Sequence, residues 1–441
     1  MGVGYTDSSA VARVSWLLVA ALLALTCLTG VGVHQIASGS IPGYVVVTLL
    51  HGALYLGAVV LVLRGKASPW DFALILLGAV VLRLVAVWAP HEVITTDALR
   101  YVWDGRIQWD GWSPYLYAPA APELEHLRDS EIYPNINQKE RATTVYPPFA
   151  QFLFLVGYLI SDSVAGQKVV MLGMEAISVA ALIGCLSAWG LPRERVILYA
   201  WHPLPIWEFV SQAHLDAAAV AFLLLGLWAV LRQRQGLAGG LFALAALVKY
   251  FPVVVLPALW RRWDWRMPVV FVVVAALLYW PHVSVAGTKV IGFLAQHLDN
   301  EGYRAGWGFH VVWMLRDFQL ADPPGRLYVA AALVILAGLA AIAFFMRGRD
   351  TCQPAMLVAL AAAFVWLTSP HYPWYFGWIV PLLCLYVSPS ALLMTLTCFV
   401  LYWPRPPGGA TWTELYAIVY YAPLALAVGL WLWTRVRRSR A

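Results

Sequence analysis

The chain has 441 residues, 61% of them hydrophobic and only 12% charged, with a mean hydropathy of +0.72. That leaves too little polar surface to cover a water-soluble globule of this size, so soluble folds are excluded and lipid is the expected solvent. The formal charge of +6 does not point to nucleic acid, because Arg and Lys stand in short clusters between apolar runs, the pattern that topology selection produces.

Crossing the hydrocarbon core takes about 20 apolar residues, with every backbone polar group satisfied internally, so the long apolar runs are predicted to be helices. In chain order the expected spans are 14–35, 43–63, 70–89, 167–190, 196–212, 216–232, 237–249, 251–260, 266–284, 326–346, 354–369, 374–388, 390–404 and 412–434. The first is read as an uncleaved span: Arg13 is its one preceding positive charge, and Thr26 is a poor residue before a lipidated Cys27. The five cysteines, Cys27, Cys185, Cys352, Cys384 and Cys398, lack CxxC spacing, so neither a disulfide frame nor a zinc site is implied.

Six basic clusters fix the orientation: Arg64 with Lys66, Arg193 with Arg195, Arg232 with Arg234, Arg261-Arg262 with Arg266, Arg347 with Arg349, and the tail from Arg435 to Arg440. Placing all six in the cytoplasm puts both termini inside. Residues 146–161 must then start and end outside, as a re-entrant or interfacial helix. The short pair 237–249 and 251–260 becomes a hairpin with Lys249-Tyr250-Phe251-Pro252 at its tip. The predicted architecture is one domain over residues 1–441, an all-α polytopic bundle of about 12–14 transmembrane helices with juxtamembrane helices. Its large outer segments are 90–161 and 285–325. Neither an internal repeat nor a low-complexity tract is present.

The segment Asp97-Ala98-Leu99-Arg100-Tyr101-Val102-Trp103-Asp104-Gly105-Arg106 follows a span. As a helix it places Asp97, Arg100, Tyr101 and Asp104 on one stripe at i, i+3, i+4 and i+7. A carboxylate there is a candidate general base; the alternative is an interfacial helix whose Asp and Arg simply pair. Further polar residues expensive to hold at a membrane boundary are His214, Asp216, Lys249, Arg304, His310 and His371, all assigned to the outer side.

The string Asp97-x-x-Arg100-Tyr101-x-Trp103-Asp104-Gly105-Arg106, then Gly111-x-x-Pro114-Tyr115 and Tyr146-Pro147-Pro148, resembles the first outer loop of C-type (GT-C) glycosyltransferases that use polyprenyl-phosphate sugars. It is most similar to bacterial mannosyltransferases of the phosphatidylinositol-mannoside type. The likeness extends to Val248-Lys249-Tyr250-Phe251-Pro252 and to Ser369-Pro370-His371-Tyr372-Pro373-Trp374-Tyr375, and so covers about residues 70–390. The resemblance implies a GT-C-like bundle in a bacterial inner membrane, with an active site facing the periplasm or cell exterior. It also implies inverting transfer of a sugar, mannose by likeness, from a polyprenyl-phosphate donor to a lipid-linked or glycan acceptor. By the same likeness Asp97 is the base. Since the departing phosphate gains charge, His371, Lys249 and Arg304 are its expected cations. Arg100, Tyr101, Asp104, Arg106, Tyr146, His214, Asp216 and His310 are expected to line the substrate pocket.

No cofactor is expected, because a monophosphate donor lacks the pyrophosphate that commonly recruits a divalent metal; Asp97, Asp104 and Asp216 are the residues that would hold one. Two spans ahead of the acidic loop depart from the simplest family pattern, so the outer placement of Asp97 rests on parity and charge bias. The rival readings are a transporter or flippase, whose polar residues should reach both sides, and a non-catalytic scaffold.

Overall fold

The computed structural model describes residues 8–65, 68–91, 93–346, 353–405 and 411–438. Lys66, Arg347, Arg349, Cys352 and Arg440 lie outside them, as does most of the segment joining the last two expected spans. The regular elements of the described residues are all helical: α1 (Ser8–Ala37), α2 (Ile41–Arg64), α3 (Pro69–Ala86), α4 (Asp97–Trp109), α5 (Pro148–Ile160), α6 (Val164–Ala188), α7 (Ile197–Ala200), α8 (Asp216–Leu231), α9 (Gln235–Ala246) and α10 (Leu256–Leu259). They continue with α11 (Arg266–Ala286), α12 (Leu294–Asn300), α13 (His310–Asp317), α14 (Gly325–Met346), α15 (Pro354–Thr368), α16 (Val380–Leu385), α17 (Pro389–Thr397), α18 (Trp412–Tyr416) and α19 (Ala422–Arg438).

Among the described residues six helices are long and apolar enough to cross a membrane: Ser15–Ala37, Ile41–Arg64, Val164–Ala188, Arg266–Asn300, Gly325–Phe345 and Trp412–Arg437. A seventh results if the π-helical turn Pro205–Ser211 and α8, bent by 116°, form one span. This is a multi-pass, all-α membrane protein, as predicted, but with fewer full-length spans than the 12–14 expected. The shortfall has a local cause. Prolines remove backbone donors and break long helices, and Pro205, Pro252, Pro373, Pro381 and Pro389 each stand at or just inside the start of a short element. The expected span 196–212 is therefore a 3-10 turn, α7 and the π-helical turn in succession. The expected hairpin region consists of α9, then the 3-10 turn Phe251–Val255 and α10, with Lys249 between α9 and the turn. Residues 148–160 form a 13-residue helix, too short to span.

Sequence fixes the starts of the early helices. Ser40 caps α2 through the Gly43 amide, and Ser68 forms a capping box with Asp71 on α3. Asp71 also accepts a hydrogen bond from Ser15 (2.7 Å), which ties α1 to α3. At the far end of α3, Lys168 reaches across from α6 to the carbonyls of Val87 (2.8 Å) and Ala89 (2.7 Å). A lysine there satisfies carbonyls that the helix leaves unpaired.

The basic clusters act in the same way. Arg195 donates to the Cys384 carbonyl (2.7 Å) near the end of α16, and Arg262 to the Phe344 carbonyl (2.8 Å) near the end of α14.

Inside the bundle Arg83 binds Glu175 at 2.7 Å and the Ala200 carbonyl at 2.7 Å, and the Tyr199 hydroxyl donates to Glu175. The three side chains are buried. Breaking such a pair strands a charge, whereas replacing both members with apolar residues is often nearly neutral. Glu175→Leu alone is expected to destabilise the protein by about 3–5 kcal/mol, and adding Arg83→Met should recover most of that loss, read from unfolding midpoints in detergent micelles.

Candidate active site

Helix α4 holds the acidic motif, and its neighbours explain the motif residue by residue. Asp104 is fully buried and receives Arg100 (2.7 Å) and the Gln151 amide (3.0 Å). Gly105 sits where α4 meets α5, and a β-carbon there would run into the Phe154 backbone. Arg106 points elsewhere, to Asp162 (2.8 Å), to Asp129 and to the Leu127 carbonyl (3.0 Å). The alternative of a paired helix is thus half met: Arg100 pairs with Asp104, and Asp97 is left over.

Among the described residues the Asp97 carboxylate has no hydrogen bond or ion pair. Its charge acts on Tyr101, Tyr146, His214, Tyr372 and Tyr375, which come from α4, the loop before α5, the break before α8 and the start of the 3-10 turn Pro373–Ile379. Tyr101 stacks on Phe154 (4.4 Å between centroids) and meets Tyr146 edge-on (5.2 Å). Burial, and then the Asp97 charge, hold the Tyr146 phenol protonated, well above its usual pKa.

Lys249, in the turn after α9, grips Asp216 at the start of α8 (2.6 Å) and lies 4.5 Å over the Tyr375 ring. His214 stacks on Trp374 at 4.0 Å, and Trp374 on Tyr372 at 4.5 Å. His371 is held by Glu301 at Nδ1 (3.2 Å) and by the Gly308 carbonyl at Nε2 (2.9 Å). The Glu301 charge acts on Tyr372 and Tyr375 as well, so His371 borders the same group.

Two expected residues stand apart from this group. Arg304 is 77% exposed and paired with Asp299 (2.9 Å). His310 is buried between the Trp366 carbonyl (2.8 Å) and the Tyr421 hydroxyl (3.1 Å), and burial pushes its pKa down to about 3. It joins α13 to the end of α15 and to the last helices.

Residues 144–370, just over half of the chain, match the model for glycosyltransferase family 87. The chain belongs to glycosyltransferase family 87. No curated protein and no solved structure matches it. In this family 87 chain the matched stretch holds Tyr146, His214, Asp216, Lys249, Arg304 and His310, while the acidic motif of α4 precedes it and His371 follows at once.

Three residues of this candidate site escaped the sequence reading. Glu208 is the one carboxylate of an apolar run, a signal of function inside a membrane that was visible. Trp374 belongs to a quoted motif, but its role as the His214 platform depends on the bend before α8. Arg405 lies 3.8 Å over Trp412 and acts electrostatically on Tyr372, a cation near the site that only the tertiary structure brings there. Because Gly105 lets α4 and α5 touch through backbone, Gly105→Ala in the family 87 enzyme is expected to cost about 1–3 kcal/mol by overpacking, measured as a lower thermal midpoint.

Proposed function

We propose that this glycosyltransferase moves a sugar, mannose by resemblance, from a polyprenyl-phosphate donor to a hydroxyl of a lipid-linked or cell-envelope glycan acceptor, with inversion and with Asp97 as general base. The observation that carries the reading is the unpartnered Asp97 carboxylate, set among aromatic and cationic side chains while the nearby Asp104 and Asp216 are each tied to a cation. In the displacement the acceptor oxygen bonds to the anomeric carbon, the bond from that carbon to the phosphate oxygen breaks, and the acceptor proton passes to Asp97. Polyprenyl phosphate leaves with the electron pair. Lys249, His371 and Arg405 are the cations this reading places around it. The charge bias of the loops supports a site on the outer face of a bacterial inner membrane.

Asp97→Asn keeps the shape of the side chain and removes its basicity. Sugar transfer by that purified variant from a polyprenyl-phosphate donor panel should fall below about one-thousandth of wild type, with an unchanged unfolding midpoint, since general-base catalysis alone contributes up to about 10⁴-fold. Transfer near the wild-type rate would overturn the base assignment. The reading also assigns the leaving charge to protein cations, so incubation with EDTA should leave the transfer rate within about twofold of the untreated enzyme.

A further inference from the structure

Where the π-helical turn Pro205–Ser211 gives way to α8, the chain places three acceptor atoms inside the protein with nothing bonded to them among the described residues, Gln212 Oε1, His214 Nε2 and Asp216 Oδ1, beside Glu208, whose carboxylate meets the Tyr44 and Tyr402 hydroxyls. All four residues are fully buried. Folded proteins pair the great majority of such atoms, so a run of three calls for a partner that the described residues do not supply. The character of that partner follows from the other end of each side chain. His214 Nδ1 lies 3.0 Å from the Glu208 carbonyl oxygen and 3.3 Å from its Oε2, both acceptors. In the neutral ring Nδ1 therefore carries the proton and Nε2 presents a lone pair. Glu208 Oε2 is itself held by the Tyr402 hydroxyl (2.9 Å), and the second oxygen of Asp216 is held by Lys249 (2.6 Å). The Gln212 amide nitrogen donates to Ser211 Oγ (2.9 Å), which leaves its oxygen as the free end.

Lone pairs gathered in this way repel a phosphate and accept from hydroxyls. Among the described residues no three His, Cys, Asp or Glu side chains gather as a metal-ligand set. A group rich in hydroxyl donors complements them. The stack of His214 on Trp374 and of Trp374 on Tyr372 adds apolar ring surface beside it, of the kind that suits the C–H face of a sugar. The Asp97 charge is the strongest charged influence on His214, which sets the break beside the proposed base.

We propose that this break is the sugar subsite, in which His214 Nε2 and Asp216 Oδ1 accept hydrogen bonds from hydroxyls of the transferred hexose and Glu208 is the positioning residue that fixes the imidazole. The inference rests on the lipid-phosphate donor reading of the same site and deepens it.

The test measures dissociation constants in lipid nanodiscs for the full-length protein. The probe is the tightest-binding member of a panel of short-chain polyprenyl-phosphate hexoses (mannose, glucose, galactose), together with its mono-deoxy analogues. In wild type at least one analogue should bind about tenfold or more weakly than the parent, because a site built to bond a hydroxyl rejects the molecule that lacks it. His214→Phe keeps the ring stack and removes Nε2. It should bring the parent's affinity down to that of the same analogue and leave the analogue's unchanged. If His214→Phe does not fold, Glu208→Leu, which removes the Oε2 contact and leaves only the backbone carbonyl to hold Nδ1, should shrink the same difference. A flat wild-type series overturns the proposal without any variant. So does an equal loss for the parent and every analogue, the result expected when ordered water fills the break. Sugar transfer is assayed in parallel: transfer with a flat binding series removes the subsite and keeps the transferase reading, whereas hydroxyl-dependent binding without transfer does the reverse.

Discussion

A carboxylate inside a low-dielectric helical bundle has to be compensated, and the distribution of compensation organises this protein. Glu175 has Arg83, Asp104 has Arg100, and Asp216 has Lys249. The pairs Arg83–Glu175 and Lys249–Asp216 each join two elements, while Arg100–Asp104 is an i,i+4 pair within α4 whose carboxylate also holds Gln151 of α5. Asp97 has no such partner, although it lies a few residues from Arg100. Its freedom is a product of the arrangement: Asp104, one turn further into α4, takes the arginine that would otherwise neutralise Asp97.

The breaks in the helices have a related origin. A membrane interior tolerates non-helical backbone only where protein or a polar cavity surrounds it. The 116° bend before α8 is packed inside the protein and the turn at Lys249 is half-buried, and both deliver polar side chains to the same place. Proline starts the irregular stretches, and the side chains they present are the ones expensive to hold in lipid.

Much of this was legible in the sequence. The α4 stripe, the short helix after Tyr146-Pro147 and the turn at Lys249 follow from periodicity, parity and run length. The motif Asp104-Gly105-Arg106 was visible too, but its meaning was not: those residues join α4 to α5, to Asp129 and to Asp162, and none of these contacts leaves a local trace. Arg304 and His310 illustrate the opposite limit. Both carry the right chemistry on the expected segment, yet Arg304 turns to Asp299 and His310 to Trp366 and Tyr421. A side-by-side count of charges cannot tell a cation facing a cleft from one already spoken for. The number of full spans was overestimated for a similar reason, since hydropathy registers an apolar run whether or not prolines divide it.

The segment from Gly287 to Phe309 joins distant parts of the chain. Phe293 donates to the Thr144 carbonyl (3.3 Å), Asn300 to Gln138 (3.2 Å), and Glu301 holds His371. Both imidazole nitrogens of His371 face acceptors, Glu301 on one side and the Gly308 carbonyl on the other. Any anion that comes to this histidine arrives as a competitor: it takes the place of the Glu301 carboxylate. The displaced carboxylate stays tethered to the same segment, so the newcomer adds its charge beside that of Glu301.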